Sequence, residues 1–201
     1  VIEGNEPLPR WLPPYLHGLF ATAPQMGWQS HDDGPRSTPG GSGSNPTLVN
    51  NVETLSNIPH IVARGAEWFR SMGTADSPGT IVTTVVGDVV APDVGEVEMG
   101  TSLRAVIDAV GSGLFAGRSV KAVFSGVANA VVTAAELDVP VSYEGFRAIG
   151  SGMGSAGFIV HDDTTCMVDA AYRFSRILSI ESCGQCPPCK LGSSAITENL
   201  E

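Results

Sequence analysis

Three closely spaced cysteines near the end of the chain constrain its structure and chemistry more than any other feature. They form the run Cys183-x2-Cys186-x2-Cys189, and the only other cysteine among the 201 residues is Cys166. Disulfide bonds among three cysteines this close together are geometrically awkward, whereas three thiolates on one tight loop suit a metal centre. The run therefore predicts a metal site in a protein of a reducing compartment.

The spacing favours a [4Fe–4S] cluster over zinc. Ferredoxin-type clusters take three thiolates from such a run and a fourth from a distant position. Structural zinc sites usually combine two separated pairs of ligands, and the sequence has no second pair. Cys183, Cys186 and Cys189 are therefore the candidate ligands. Cys166 is expected to be a small buried apolar residue of a helix, and a zinc-bound or metal-free loop stays open as the alternative.

The charge of the chain excludes several classes of partner. Eleven Lys and Arg oppose 21 Asp and Glu, which gives a formal net charge of -10. This balance argues against binding to nucleic acid, which needs a basic surface. No apolar run reaches the roughly 18–20 residues that span a bilayer, so we expect no direct membrane insertion. No nucleophile–base pair supports hydrolase chemistry, and we assign no catalytic residue.

The residue pattern predicts an α+β protein in three parts. Residues 1–78 are loop-rich, with a flexible Gly-, Ser- and Pro-rich stretch at residues 30–46 and an amphipathic helical pattern at residues 52–69. Residues 79–149 predict a hairpin at residues 80–90 that turns at Gly87-Asp88, a helix at residues 102–109 and a strand at residues 120–126. This set of elements is typical of a small β-grasp-like domain.

Residues 150–201 form the third predicted part, which carries the cysteines. A glycine-rich loop at residues 150–157 precedes a strand at residues 158–161 and a helix at about residues 166–180. The cysteine run then lies at or just past the end of this helix. Pro187 and Pro188 are expected to stiffen the loop of the run.

Four segments carry a resemblance to a known family. They are residues 46–55 (Pro-Thr-Leu-Val-Asn-Asn-Val-Glu-Thr-Leu), residues 154–160 with Ala156 in place of a usual Gly, residues 165–169, and residues 181–189 with Lys190 in place of a usual Arg. On these motifs the chain resembles the flavoprotein subunit of NADH dehydrogenase (respiratory complex I). It is also similar to the diaphorase subunits of NAD-reducing hydrogenases and formate dehydrogenases.

The resemblance implies cofactors and a domain plan. In this family NADH passes a hydride to FMN, and electrons then pass singly to a [4Fe–4S] cluster. The resemblance places Asn50, Asn51 and Thr54 at the FMN site, although the two asparagines taken alone suit a helix cap equally well. It also implies that residues 1–78 are the C-terminal remnant of an α/β FMN-binding domain with an insertion at about residues 21–45. Residues 79–149 would be a soluble-ligand-binding β-grasp domain, and residues 150–201 the start of a helical iron–sulfur domain.

The resemblance covers the middle to C-terminal part of such a subunit. The family's glycine-rich loop and acidic motif precede the segment that matches Val1, and its fourth cysteine follows the segment that matches Glu201. We therefore expect the chain alone to bind FMN or NADH weakly and to hold a cluster incompletely. The implied partners are other subunits of an electron-transfer complex, including a thioredoxin-like [2Fe–2S] subunit. The implied location is cytoplasmic, peripheral to the membrane through those subunits. The alternative is a non-catalytic β-grasp module that binds a ligand or a subunit.

Overall fold

Two helices come first in the described part of the chain. The computed structural model describes residues 51–126 and 129–201, and its contacts divide the chain into two units between Ala63 and Arg64. Helix α1 spans Val52–Arg64 and helix α2 spans Ala66–Arg70. The helical pattern predicted at residues 52–69 is interrupted at Gly65, whose φ of 90° lies in the left-handed region that favours glycine. The predicted flexible loop and the predicted insertion lie outside the described residues.

A mixed five-stranded sheet forms the centre of the second unit. Its strands are β1 (Thr80–Gly87), β2 (Asp93–Glu98), β3 (Val120–Phe124), β4 (Val132–Thr133) and β5 (Gly157–Asp162). The strand order is β2-β1-β5-β3-β4. The central pair, β1 and β5, is parallel, and the other neighbouring strands are antiparallel. The sheet and the helices around it confirm the predicted α+β class.

After α1 and α2, the described residues contain four further helices and one short 3-10 turn. Helix α3 spans Leu103–Gly111, the 3-10 turn Ala134–Glu136, α4 Tyr143–Ala148, α5 Met167–Glu181 and α6 Pro187–Leu200. Ser102 caps α3, because its side chain accepts a hydrogen bond from the Ala105 amide.

Helices α3 and α4 bury their apolar sides against the sheet. Phe146 of α4 and Phe158 of β5 are fully buried, and their rings stack with centroids 5.8 Å apart. The other fully or nearly fully buried side chains of this core include Val85, Leu103, Val106, Ile107, Val123, Val132, Val141, Met153 and Val160.

The predicted turn at Gly87-Asp88 is wrong. Residues 80–87 form one strand, and its hairpin partner is β2, with Val85 opposite Asp93. After Gly87 the chain leaves the strand direction, because the amides of Val90 and Ala91 bond to the carbonyls of Gly113 and Gly111, at the C-terminal end of α3. Val89 is thereby buried in the core rather than paired across a hairpin.

Strand β5 lies between β1 and β3 and follows the glycine-rich segment. Its register places Phe158 beside Val85 of β1 and Val160 beside Val123 of β3. A domain that ended at residue 149 would lack this strand, and the three-part division at residues 78 and 149 stays a prediction. Ala156, at the position where the resembling family has Gly, has a φ of 61° and is fully buried.

A carboxylate joins helix α4 to the segment before β1. Glu144 accepts hydrogen bonds from the hydroxyls of Thr74, at 2.5 Å, and Ser77, at 2.6 Å. The hydrogen bonds from Ser77 and Thr74 lower the pKa of Glu144 to about 2. Since these bonds link residues about 70 positions apart in sequence, the ionised carboxylate acts as a clamp on the fold.

Replacing Glu144 by Gln should remove an acid-sensitive part of the stability. Because the folded pKa is about 2 against an ordinary value of 4.5, the ionised form stabilises the fold above pH 4.5. That contribution disappears as the pH falls from 4.5 towards 2. Urea midpoints measured across this interval should fall more steeply for the wild type than for Glu144→Gln. Glu67→Gln, at an exposed position of α2, is the control; parallel curves for Glu144→Gln and the wild type would contradict the clamp.

Candidate metal centre

The helix that leads to the cysteine run is fixed at its start by buried polar contacts. Asp162, at the end of β5, is 2% exposed and accepts a hydrogen bond from Arg118 Nη1. The Asp88 carboxylate accepts from the Asp162 amide and the Thr165 hydroxyl. On the helix itself, the Phe174 ring lies 4.7 Å from that of Phe124 of β3. These contacts set the direction in which α5 leaves the sheet.

Cys166 is exposed, so the prediction that it is a buried apolar residue is wrong. The helix begins one residue later than expected, which makes Cys166 its N-cap. The backbone amides of Asp169 and Val168, at the positive end of the helix, lower the pKa of the Cys166 thiol. Cys166 and the cysteine run lie at opposite ends of a helix of 15 residues, about 22 Å apart at 1.5 Å per residue. Cys166 therefore cannot share a cluster with the run.

The cysteine run forms the connection between two helices. Ser182 is the C-cap of α5 and Cys186 is the N-cap of α6. Gly184, between them, has a φ of 78°, which glycine adopts without strain and which reverses the chain. Cys189 lies in the first turn of α6, with its amide bonded to the carbonyl of Cys186 at 2.9 Å.

The two prolines have a different role from the one expected. Pro187 and Pro188 are the first two residues of α6 rather than stiffeners of an irregular loop. Their missing N–H groups cost little there, because the first amides of a helix have no partner within it. They therefore favour a helix that begins immediately after Cys186. This helix start places Cys186 and Cys189, three residues apart, on the same turn.

The donor set fits an anionic iron–sulfur cluster. All three thiols of the run are exposed, and none of them forms a disulfide bond. Two of them lie at the N-terminus of α6, where the helix dipole favours a bound anionic group. Among residues 51–126 and 129–201, however, no three His, Cys, Asp or Glu side chains are gathered as a metal-binding group. The run thus supplies accessible ligands of suitable chemistry that would converge on binding.

Lys190 follows the last cysteine and points back to α5. Its Nζ donates to the Ser179 carbonyl at 2.5 Å. That carbonyl is among the last four of α5, which have no partner within the helix. The ammonium is therefore bound to the end of α5.

The candidate FMN residues lie in the first unit. Asn50 lies outside the described residues. Asn51 Oδ1 accepts from the Thr54 amide at 3.1 Å, so Asn51 caps α1. Thr54 is exposed on the first turn of α1. Asn51 thus acts as a helix cap, which the sequence allowed. A role of Asn50, Asn51 and Thr54 at FMN stays a prediction.

No helix in the part of the chain that the structure describes combines the length and apolarity needed to cross a membrane.

Comparisons with known proteins identify relatives of the cysteine-bearing part and of most of the chain. A family profile described as the NADH-ubiquinone oxidoreductase-F iron-sulfur binding region matches residues 169–201. An NADH-quinone oxidoreductase F subunit (F 2) of Rhizobium meliloti (strain 1021) is 39% identical over 194 residues, covering 95% of this chain and 41% of that protein. The NADP-reducing hydrogenase subunit HndC of Solidesulfovibrio fructosivorans is 43% identical over 157 residues, covering 78% of this chain and 32% of that protein.

A solved structure agrees with these relatives. The crystal structure of NAD+-reducing [NiFe]-hydrogenase in the air-oxidized state matches with a TM-score of 0.65 and 33% identity, over 78% of this chain and 26% of that chain. The chain thus spans less than half the length of the relatives it matches. These matches confirm the family resemblance expected from the sequence motifs.

Proposed function

From the homology of this chain with NADH-quinone oxidoreductase F subunits, we propose that it is an electron-transfer part of an NADH dehydrogenase-like oxidoreductase. Cys183, Cys186 and Cys189 provide three thiolate ligands to a [4Fe–4S] cluster. The observation that carries this proposal is the placement of all three on one exposed connection between α5 and α6, two of them at a helix N-terminus. A cluster bound there accepts and releases single electrons.

The residues of the connection have separate roles in holding the cluster. Gly184 would let the chain turn around the cluster, because glycine has no Cβ and adopts a φ of 78° without strain. The N-terminus of α6 would favour the net negative charge of a bound cluster. Cys166, the other cysteine of the chain, lies about 22 Å away at the far end of α5, so it is not the fourth ligand.

The whole protein would carry out NADH oxidation. NADH would reduce FMN, and the electrons would pass one at a time to the cluster held by the cysteine run. Asn50, Asn51 and Thr54 would line the FMN site in such a protein. Support for this proposal comes from the relatives named as an NADH-quinone oxidoreductase F subunit and an NADP-reducing hydrogenase subunit.

We assign the sheet of the second unit to the β-grasp type. Its support is the strand order β2-β1-β5-β3-β4 with a parallel central pair, and the packing of α3 against β1 and β2. In such a fold a hairpin, a helix and a returning central strand form one layer of sheet and one of helix. This domain would serve as a binding surface within the larger protein.

The partners proposed for the whole protein are other subunits of an electron-transfer complex. A thioredoxin-like [2Fe–2S] subunit would be among them, and the assembly would lie on the cytoplasmic side of a membrane. The support is again the naming of the relatives as subunits of larger enzymes.

Anaerobic reconstitution of the chain tests the proposal. Iron, sulfide and a small thiol in excess would be added to the purified chain, with the thiol available as fourth ligand. We expect about four iron and four sulfide per chain, with visible charge-transfer absorption that bleaches on reduction. Zinc content is measured in the same samples.

A second function follows if the cysteines do not gather around iron. The thiols are exposed and are not converged in the described residues, which also suits a metal-free or zinc-bound connection in a ligand- or subunit-binding module. A chain that takes up zinc at unit stoichiometry and no iron under anaerobic conditions would contradict the iron–sulfur proposal and support this one.

A further inference from the structure

Helices α5 and α6 contact each other through a row of hydrogen bonds made by polar side chains. Ser179 and Ser194 hydroxyls lie 2.9 Å apart, and Thr197 donates to the Ser175 hydroxyl at 3.1 Å. Ser175 is 7% exposed, so its hydroxyl is largely closed to water. Aliphatic side chains of the same two helices are exposed instead, namely Ile177, Leu178, Ile180, Leu191 and Ile196. The helix pair is therefore held together by hydrogen bonds to a greater degree than by apolar packing.

Among these hydrogen bonds between the two helices, the one made by Lys190 lies closest to the cysteine run. Its Nζ bonds to the Ser179 carbonyl, and its own amide bonds to the Cys186 carbonyl at 3.1 Å. It therefore links the end of α5 directly to the N-cap of α6. A charged donor makes a stronger hydrogen bond than the serine and threonine hydroxyls that form the other hydrogen bonds between the two helices. The negative end of the helix dipole, at the last turn of α5, strengthens it further.

We propose that Lys190 is a positioning residue for the cysteine run. By holding the first turn of α6 on the last turn of α5, it fixes the distance between Ser182 and Cys186, the two ends of the loop. The loop thereby keeps its reversed path before any metal binds, and the cysteines converge from that path when a metal is bound. The part of this inference that concerns a cluster rests on the proposed function; the ordering of the loop does not.

Hydrogen exchange of the metal-free chain tests the positioning role. Lys190→Met removes the donor and keeps an unbranched apolar stem, so the amides of residues 189 and 190, which bond to the Cys186 carbonyl, should exchange about tenfold faster, as for the loss of one charged hydrogen bond. Lys190→Arg should restore slow exchange, because a guanidinium also donates to a carbonyl.

The sequence offers a matched control at the other end of the same helix. Lys121, the only other lysine, donates its Nζ to the Thr165 carbonyl at 2.7 Å, just before α5. Lys121→Met should therefore leave exchange of the amides of residues 189 and 190 unchanged. Equal exchange in Lys190→Met and the wild type, or an equal increase in Lys121→Met, would overturn the proposal.

A second measurement on the reconstituted chain separates this inference from the proposed function. With a chelator present, the visible absorption of Lys190→Met should decay about tenfold faster than that of the wild type, and Lys190→Arg should stay near the wild type. Equal decay of Lys190→Met and wild type would overturn the role of Lys190 towards a cluster. If the wild type binds no iron, the proposed function fails, and hydrogen exchange alone decides whether Lys190 orders the loop.

Discussion

Replacing Cys186 by Ser should reduce the iron and sulfide bound per reconstituted chain to background, and Cys183→Ser and Cys189→Ser should do the same. A serine hydroxyl stays protonated at neutral pH and is a harder donor than a thiolate, so it replaces an iron ligand poorly. Two thiolates then remain on the connection between α5 and α6. Iron and sulfide assays with visible absorption on anaerobically reconstituted samples measure the effect.

Cys166→Ser is the matched control for these three variants. Cys166 is exposed, as the other three are, but it lies about one helix length, roughly 22 Å, from them. This variant should bind iron and sulfide as the wild type does. If Cys166→Ser lost the cluster, or if Cys186→Ser kept it, the ligand assignment would be contradicted.

The fold of all four variants should be unchanged. Exposed side chains away from the core usually change the free energy of unfolding by less than about 0.5 kcal/mol when replaced. Circular dichroism and thermal midpoints of the metal-free variants should therefore match the wild type. A variant that lost iron with an unchanged thermal midpoint would have lost a ligand and not its fold.

Elements with strong local signals could be predicted from the sequence. The helix capped by Ser102, the strand at residues 120–124 and the strand at residues 157–162 have apolar periods and flanking caps or glycines that act within a few residues. The α+β class follows from the order of these elements. The Cys-x2-Cys-x2-Cys run also predicts its chemistry locally, because the ligands are neighbours.

Features that depend on distant residues could not be predicted in the same way. The path of the chain after Gly87 is set by hydrogen bonds to the carbonyls of Gly111 and Gly113, at the C-terminal end of α3. No residue near Gly87 indicates these partners. The exposure of Cys166 depends on where α5 begins, and helix boundaries are set by competing caps within one or two residues. The start of α6 does have a local signal in Pro187 and Pro188, since proline favours the first helical positions, but proline is equally common in irregular loops.

The polar contact between α5 and α6 shows why helix faces are hard to assign from periodicity. The apolar residues of α5 include Ile177, Leu178 and Ile180, and the pattern places Ile177 and Leu178 on a buried face, yet all three are exposed here. The serines and threonines at positions 175, 179, 194 and 197 make the contact instead. Their helical spacing is visible in the sequence, but hydroxyls at such spacing are equally common on solvated faces.

Replacing Phe158 by Ala should lower the free energy of unfolding by about 3–5 kcal/mol, a large share of the roughly 5–15 kcal/mol of a typical domain. Phe158 is fully buried in the central strand β5 and stacks on Phe146 of α4. Truncation removes apolar contact area and leaves a cavity between the sheet and α4, which neighbouring side chains fill only partly. Urea unfolding followed by circular dichroism measures the change.

Phe115→Ala is the matched control, because Phe115 is 52% exposed. It should change the free energy of unfolding by less than about 0.5 kcal/mol. Phe158→Leu, which keeps most of the buried volume, provides a folded variant if Phe158→Ala fails to fold, and should lose less than Phe158→Ala. Equal stability of Phe158→Ala and Phe115→Ala would contradict the placement of β5 in the core.

A double-mutant cycle separates the stacking contact from simple burial. If the rings of Phe146 and Phe158 stabilise each other beyond the area that each buries, the double alanine variant should lose about 0.5–1.5 kcal/mol less than the sum of the single losses. Additive losses would mean that each ring acts alone in the core. A positive coupling would show that the contact between α4 and β5 stabilises the strand that leads, within five residues, into α5.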